Sequence, residues 1–253
     1  MAWHIRFEPT KSQSLLVSHH RNTVVVPPIV FQGTVVPEVD QLKLLGVLFD
    51  QHLSFRAHIR QLAIRGSQRL GFLRKASRVL DSRCRGVIYK GFVRPVLEYG
   101  MLVWMSAAPT TLARLTAIQR RGLHLIGDGA YLPSLDIRRM VGALCFLYKL
   151  HFSTGPDMLL TLLPPRATNT SRHSRRTQKH PSHQFQLTST LPPRARNDVL
   201  RSFPDAVVEV WNQLPQCVLL NQPTRKGLQT FKEKVNTHLR LTRWPWEWAT
   251  DRL

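Results

Sequence analysis

Between Asp157 and Asp198 the chain has no acidic residue, yet it carries Arg166, Arg172, Arg175, Arg176, Lys179, Arg194 and Arg196 there. The whole sequence repeats the imbalance: 36 Lys+Arg against 15 Asp+Glu give a formal charge of +21. Such a surface repels itself, attracts polyanions and releases counterions when it meets phosphate. Nucleic acid is therefore the first partner to expect, an anionic membrane surface the second and a ribosome-like assembly the third. Arg172, Arg175, Arg176 and Lys179 are candidate phosphate contacts in this stretch. Arg56, Arg60, Arg120 and Arg121 are candidates on predicted helices.

Other chemistry lacks a framework. His173, His180 and His183 lie in the same polar stretch without a scaffold to hold a metal. Cys84, Cys145 and Cys217 are odd in number and far apart, which predicts free thiols in a reducing compartment and no zinc site. Ser, His and Asp occur without a nucleophile context such as G-x-S-x-G. No catalytic or metal-binding residue is expected. No apolar run approaches the ~20 residues of a membrane span, and the start has no continuous apolar stretch. The expected location is intracellular, nuclear or cytoplasmic, and not secreted.

At 253 residues and 43% hydrophobic, the chain can bury a sizeable core. Residues 1–51 read as strands: Trp3–Phe7, Ser14–His19, Val24–Val26, a hairpin over Ile29–Val36 turning at Gly33, and an apolar run over Leu42–Phe49 containing Gly46. From about residue 53 the period becomes helical. A first helix puts Phe55, Ile59, Leu62, Ala63, Gly66, Leu70 and Leu73 on one face. A second, capped by Asp81 or Ser82, carries a stripe of Cys84, Ile88, Phe92, Val96, Tyr99 and Val103, with Pro95 expected to end or kink it. A third, capped by Thr110 or Thr111, buries Leu112, Leu115, Ile118, Leu125 and Ile126 and exposes Arg114, Arg120 and Arg121. A fourth spans Leu135–His151. Residues 164–202 read as a flexible basic linker, and 203–253 as a helical module with Trp211, Leu228, Phe231, Val235 and Leu239. The expected fold is α+β and mostly α: a small N-terminal antiparallel sheet over 1–51, a helical bundle over 52–163, the linker, and short C-terminal helices.

Several segments also resemble a known family in order. Phe7-Glu-Pro-Thr-Lys11-Ser is similar to the palm motif that follows the catalytic strand in reverse transcriptases of LINE-like, non-LTR retrotransposons. Leu44-Leu45-Gly46-Val47-Leu48-Phe49-Asp50, with Leu53-Ser54-Phe55 and His58-Ile59, resembles their primer grip and entry to the thumb. Tyr89, Arg94-Pro95-Val96-Leu97-Glu98-Tyr99-Gly100, Val103-Trp104 and Leu115…Gln119-Arg120 resemble thumb helices. Arg201-Ser-Phe203, Trp211-Asn212-Gln213-Leu214-Pro215 and Phe231-Lys232 resemble the C-terminal block of jockey-like elements.

The resemblance implies a palm remnant, a thumb-like bundle and a C-terminal module, with RNA and DNA template–primer as partners. The missing palm and fingers portion is a further possible partner. It places Lys11 near the incoming triphosphate and Gly46 at the primer. The alternatives are a solvated lysine on a turn and a β-bulge glycine. Trp104 and Trp211 read as packing residues, and Trp244, Trp246 and Trp248 as a loose or docked tail. The family's palm carboxylates hold paired Mg²⁺ ions, but this sequence has no adjacent Asp-Asp, and its start corresponds to a point after that motif. No cofactor is expected for this chain, since Mg²⁺ belongs to the intact polymerase. The expected function is nucleic-acid binding without catalysis. The alternatives are a product of a degenerate element with no selected function and a basic membrane-surface or assembly protein.

Overall fold

The computed structural model describes residues 7–18, 26–127, 132–152, 157–160, 163–165, 185, 205–219 and 225–241. Two hairpins come first. β1 (Val30–Phe31) pairs antiparallel with β2 (Thr34–Val35), and β3 (Gln41–Leu44) with β4 (Val47–Asp50). Each closes through two residues of positive φ: Gln32 at 49° and Gly33 at 77°, then Leu45 at 47° and Gly46 at 85°. This sign pattern suits the twist of antiparallel strands and favours glycine. The expected sheet is therefore two separate ribbons. The run Leu42–Phe49 folds back at Gly46 instead of continuing as one strand. The predicted strands Trp3–Phe7 and Val24–Val26 fall almost wholly outside the described residues. Ser14 makes only an isolated parallel bridge to Glu38.

Asp50 joins the second hairpin to α1 (Arg56–Ala76). Its carboxylate accepts the backbone N–H of Ser54 at 2.9 Å and of Phe55 at 2.8 Å. Burial alone would raise its pKa, but these hydrogen bonds outweigh burial and hold it below the ordinary carboxylate value. α1 then buries Ile59, Leu62, Leu70 and Leu73 as its spacing predicts.

The next helical stretch departs from its predicted register. α2 (Ser82–Ile88), capped by Asp81, runs into a π-helical turn (Tyr89–Val93), then α3 (Arg94–Glu98) and α4 (Met101–Trp104). Pro95 cannot donate to the helical ladder, and the wider turn before it absorbs an extra residue. The buried face is accordingly Tyr89, Val93, Val96, Leu97 and Trp104, whereas Cys84, Phe92, Tyr99 and Val103 of the predicted stripe are exposed. α5 (Pro109–Ile126) starts at its proline with no side-chain cap, so neither Thr110 nor Thr111 caps it. α6 (Leu135–His151) has the predicted bounds, with the Ser134 hydroxyl accepting the Ile137 N–H at 3.2 Å. α7 (Asp157–Leu160), α8 (Asp205–Gln213) and α9 (Arg225–Leu241) follow.

Two hydrophobic cores result. One joins β4, α1, the α2–α4 stretch and α5 around Ile59, Leu62, Tyr89, Trp104, Leu115 and Ile118. The other joins α6, α8 and α9 around Leu144, Tyr148, Val207, Trp211, Phe231 and Val235, with Tyr148 stacked on Phe231 at 4.4 Å. α6 gives Leu135 to the first core and most of its length to the second. Each fully buried aliphatic side chain contributes roughly 1.5–3 kcal/mol. Trp104 and Trp211 are both wholly buried, as packing residues. Within the predicted linker, Phe185 is packed against the second core.

Candidate nucleic-acid interface

The first core holds α1 and α5 side by side: a Cβ at Gly66 would lie 3.5 Å from Ile118. Neither helix contains an acidic residue. Arg56, Arg60, Ser67 and Arg74 recur every four or seven residues, so they share one side of α1. Arg121 of α5 donates to the Ser67 hydroxyl at 3.4 Å, which brings it to that side. Arg56, Arg60, Arg74, Arg120 and Arg121 are all exposed. The ion pairs among the described residues are Arg94–Glu98, Arg138–Glu98 and Arg139–Asp136, so no carboxylate neutralises these arginines there. A row of unpaired guanidinium groups along packed helices can follow a phosphate backbone without reading bases. Sequence reasoning named Arg56, Arg60, Arg120 and Arg121 but missed Arg74, which the seven-residue spacing from Arg60 through Ser67 would have revealed.

The other predicted contacts lie elsewhere. Lys11 ends an exposed 3-10 turn (Pro9–Lys11), and no described hydrogen bond or ion pair joins it to Gly46 or to α1. Gly46 occupies a hairpin turn and not a bulge. Its nearest neighbour is the ring of Tyr99, which a Cβ would meet at 3.2 Å, and the Tyr99 hydroxyl donates to the Leu45 carbonyl at 2.7 Å. Arg172, Arg175, Arg176 and Lys179 lie outside the described residues, as does the tail with Trp244, Trp246 and Trp248.

The more specific family-like motifs hold the molecule together. Glu98 takes two hydrogen bonds from Arg138 of α6, the Nη2 one at 2.7 Å, and pairs with Arg94 at 3.6 Å. The hydrogen bond to Glu98 raises the Arg138 pKa, while burial and then Arg138 lower that of Arg94. Gly100, at φ 65°, lets the chain pass Val47 where a Cβ would come within 2.9 Å, and Trp104 Nε1 donates to the Tyr99 carbonyl at 2.8 Å. Asn212 clamps the backbone of Phe185, accepting its N–H at 3.0 Å and donating to its carbonyl at 2.8 Å.

His58 is fully buried and its Nδ1 accepts the Leu48 N–H at 3.3 Å. Burial, and then the positive charge of Arg65, push its pKa below the ordinary 6.5. Among the described residues no group of three or more His, Cys, Asp or Glu side chains is placed to hold a metal ion. None of their helices is long and apolar enough to cross a membrane.

No family model matches the chain, and no solved structure matches it. Curated relatives do. The chain is 26% identical over 132 residues to the probable RNA-directed DNA polymerase from transposon BS of Drosophila melanogaster. It is 28% identical over 127 residues to the probable polymerase from the X-element, and 29% over 141 residues to that from mobile element jockey, both of the same organism. These matches cover 51%, 49% and 54% of this chain but only 15%, 14% and 15% of the relatives. Over about half its length, the chain is thus a homologue of the RNA-directed DNA polymerases of jockey-like, non-LTR retrotransposons.

Proposed function

We propose that this chain binds RNA or DNA template–primer through phosphate contacts along α1 and α5, and that on its own it does not polymerise. The observation that carries the reading is the acid-free row of Arg56, Arg60, Arg74 and Arg121, without an ion pair among the described residues, on two helices fixed by one core. Arg120 and the basic stretch with Arg172, Arg175, Arg176 and Lys179 extend the same cationic supply. Gly46 would meet a nucleic acid that reaches the β3–β4 turn, and Lys11 one that reaches the separate Pro9–Lys11 turn. Polymerisation of this kind needs carboxylates that hold paired metal ions against the primer end and the leaving pyrophosphate. The chain has no adjacent Asp-Asp to supply them, so Mg²⁺ is assigned to the intact polymerase and not to this chain.

The test is fluorescence anisotropy of the full chain with labelled single-stranded RNA across a salt series. With ~5 phosphates contacted, log K against log[salt] should slope at about −3.5. Replacing Arg56, Arg60 and Arg121 by Ser should flatten the slope by about 2, at ~0.7 per contact. A slope near zero, or tighter binding to anionic liposomes than to RNA, would overturn the reading. Primer extension with Mg²⁺ should give no incorporation above a mock preparation.

A further inference from the structure

The opposite flank of α1 differs in composition from the arginine row. Arg69 leaves the helix there, donates through Nη1 to the Phe92 carbonyl at 2.7 Å, and lies over the Phe92 ring at 4.7 Å. One turn along α1 from Arg69 is Phe72, 64% exposed, and Phe92 itself is 40% exposed. Arg65, one turn before Arg69 on the same side, is also exposed. A guanidinium fixed on one exposed ring, Phe92, thus shares a flank of α1 with a second exposed ring, Phe72. Neither α1 nor the α2 and π-helical stretch from Ser82 to Val93 contains an acidic residue.

We propose that Phe72, Arg69 and Phe92 form a stacking platform for unpaired bases of a single-stranded nucleic acid, an inference that rests on the nucleic-acid reading above. Exposed aromatic faces beside cationic groups are the arrangement that binds single strands regardless of sequence, because every base has a π-face. The hydrogen bond to the Phe92 carbonyl holds the Arg69 plane against the ring, so this cation is already ordered before a base arrives. A neutral surface would leave Arg65 and Arg69 without anions, and an acidic protein surface would use the arginines but not the two ring faces, whereas a phosphate-linked chain of bases uses both. A duplex hides its base faces and gains nothing from the rings. Single strands should therefore depend on Phe72 and Phe92, and duplexes should not.

The experiment compares the full chain with Phe72→Ala, Phe92→Leu and Phe72→Tyr. The probes are a single-stranded DNA carrying 2-aminopurine and a duplex of equal length, with circular dichroism as folding control. Loss of one stacked base, worth ~1 kcal/mol or more, corresponds to a loss of about five-fold or more in single-strand affinity. Phe72→Ala and Phe92→Leu should each show that loss and weaken 2-aminopurine quenching, with the salt slope and duplex affinity unchanged. Phe72→Tyr should bind as the parent does. If the parent binds salt-dependently and both variants match it on single strands, the platform is refuted and the phosphate reading survives. If the parent binds neither probe, both fall. Concentration-dependent self-association of the parent that Phe72→Ala abolishes would instead assign the patch to a protein contact and overturn the proposal.

Discussion

His58 shows how one residue ties the hairpins to the helices. Its ring is buried against Trp104 with centroids 6.4 Å apart, and its Nδ1 must remain unprotonated to accept the Leu48 N–H. Because burial and Arg65 depress its folded pKa below 6.5, the unfolded chain takes up the proton first as pH falls. The stabilisation linked to this group is complete above about pH 6.5 and is lost as pH falls through the depressed folded value. The melting temperature of the parent should therefore drop between pH 7 and 5, and a His58→Gln variant should lose less over that window. Equal losses in the two proteins, measured by thermal denaturation at fixed ionic strength, would remove His58 as the source. At this scale the motifs were legible but their purposes were not. Tyr99, Gly100 and Asn212 stood out by sequence pattern, and their work as joints depends on contacts with Leu45, Val47 and Phe185, which no local reading supplies. Phe72 lies off the apolar stripe of α1, which is both why it is exposed and why apolar spacing does not single it out.

Among the elements, α3 and α6 meet through a polar contact, that of Glu98 with Arg138. Glu98 is only 15% exposed at its side chain, so truncating it leaves two arginines without a shared anion. Glu98→Ala should cost about 2 kcal/mol, the scale for stranding partly buried charged partners. Glu98→Gln, which retains an acceptor, should cost less. Chemical denaturation of both variants checks the order, and equal stability to the parent would show the contact to be solvent-screened. Elements with one unbroken period were readable from sequence: the inward faces of α1 and α5 and the bounds of α6 follow from apolar spacing alone. The stretch around Pro95 was not, because the π-helical turn inserts one residue and moves the inward face to Tyr89, Val93, Leu97 and Trp104 while Val96 stays inside, an effect that sequence spacing does not encode. The hairpin at Gly46 is hidden from sequence for a related reason. An apolar run with a central glycine fits one strand or two, and the choice is made by the turn's positive φ angles and by the Tyr99 ring packed beside it.

For the molecule as a whole, the same charge that would bind a polyanion opposes folding. With a formal +21 and few carboxylates, the native state brings like charges closer than the unfolded chain does. Salt screens that repulsion over a Debye length of about 10 Å at 0.1 M, comparable to the spacing of neighbouring helices. It also weakens phosphate binding, since counterions released into a more concentrated salt solution gain less entropy. The two effects have opposite signs and arise from the same side chains. Raising NaCl from about 50 to 300 mM should raise the melting temperature of the free chain while lowering its affinity for RNA by about two to three powers of ten, for a slope near −3.5. Saturating RNA at low salt should raise the melting temperature as added NaCl does, because a bound polyanion both screens the surface and stabilises the state it binds. Replacing Arg56, Arg60 and Arg121 by Ser should diminish both responses together. These side chains are exposed, so their loss leaves both hydrophobic cores intact. Thermal denaturation in parallel with anisotropy over one salt series decides the matter. A variant that loses RNA affinity but keeps the parent's full salt-dependent stabilisation would show that the self-repulsion resides elsewhere in the chain.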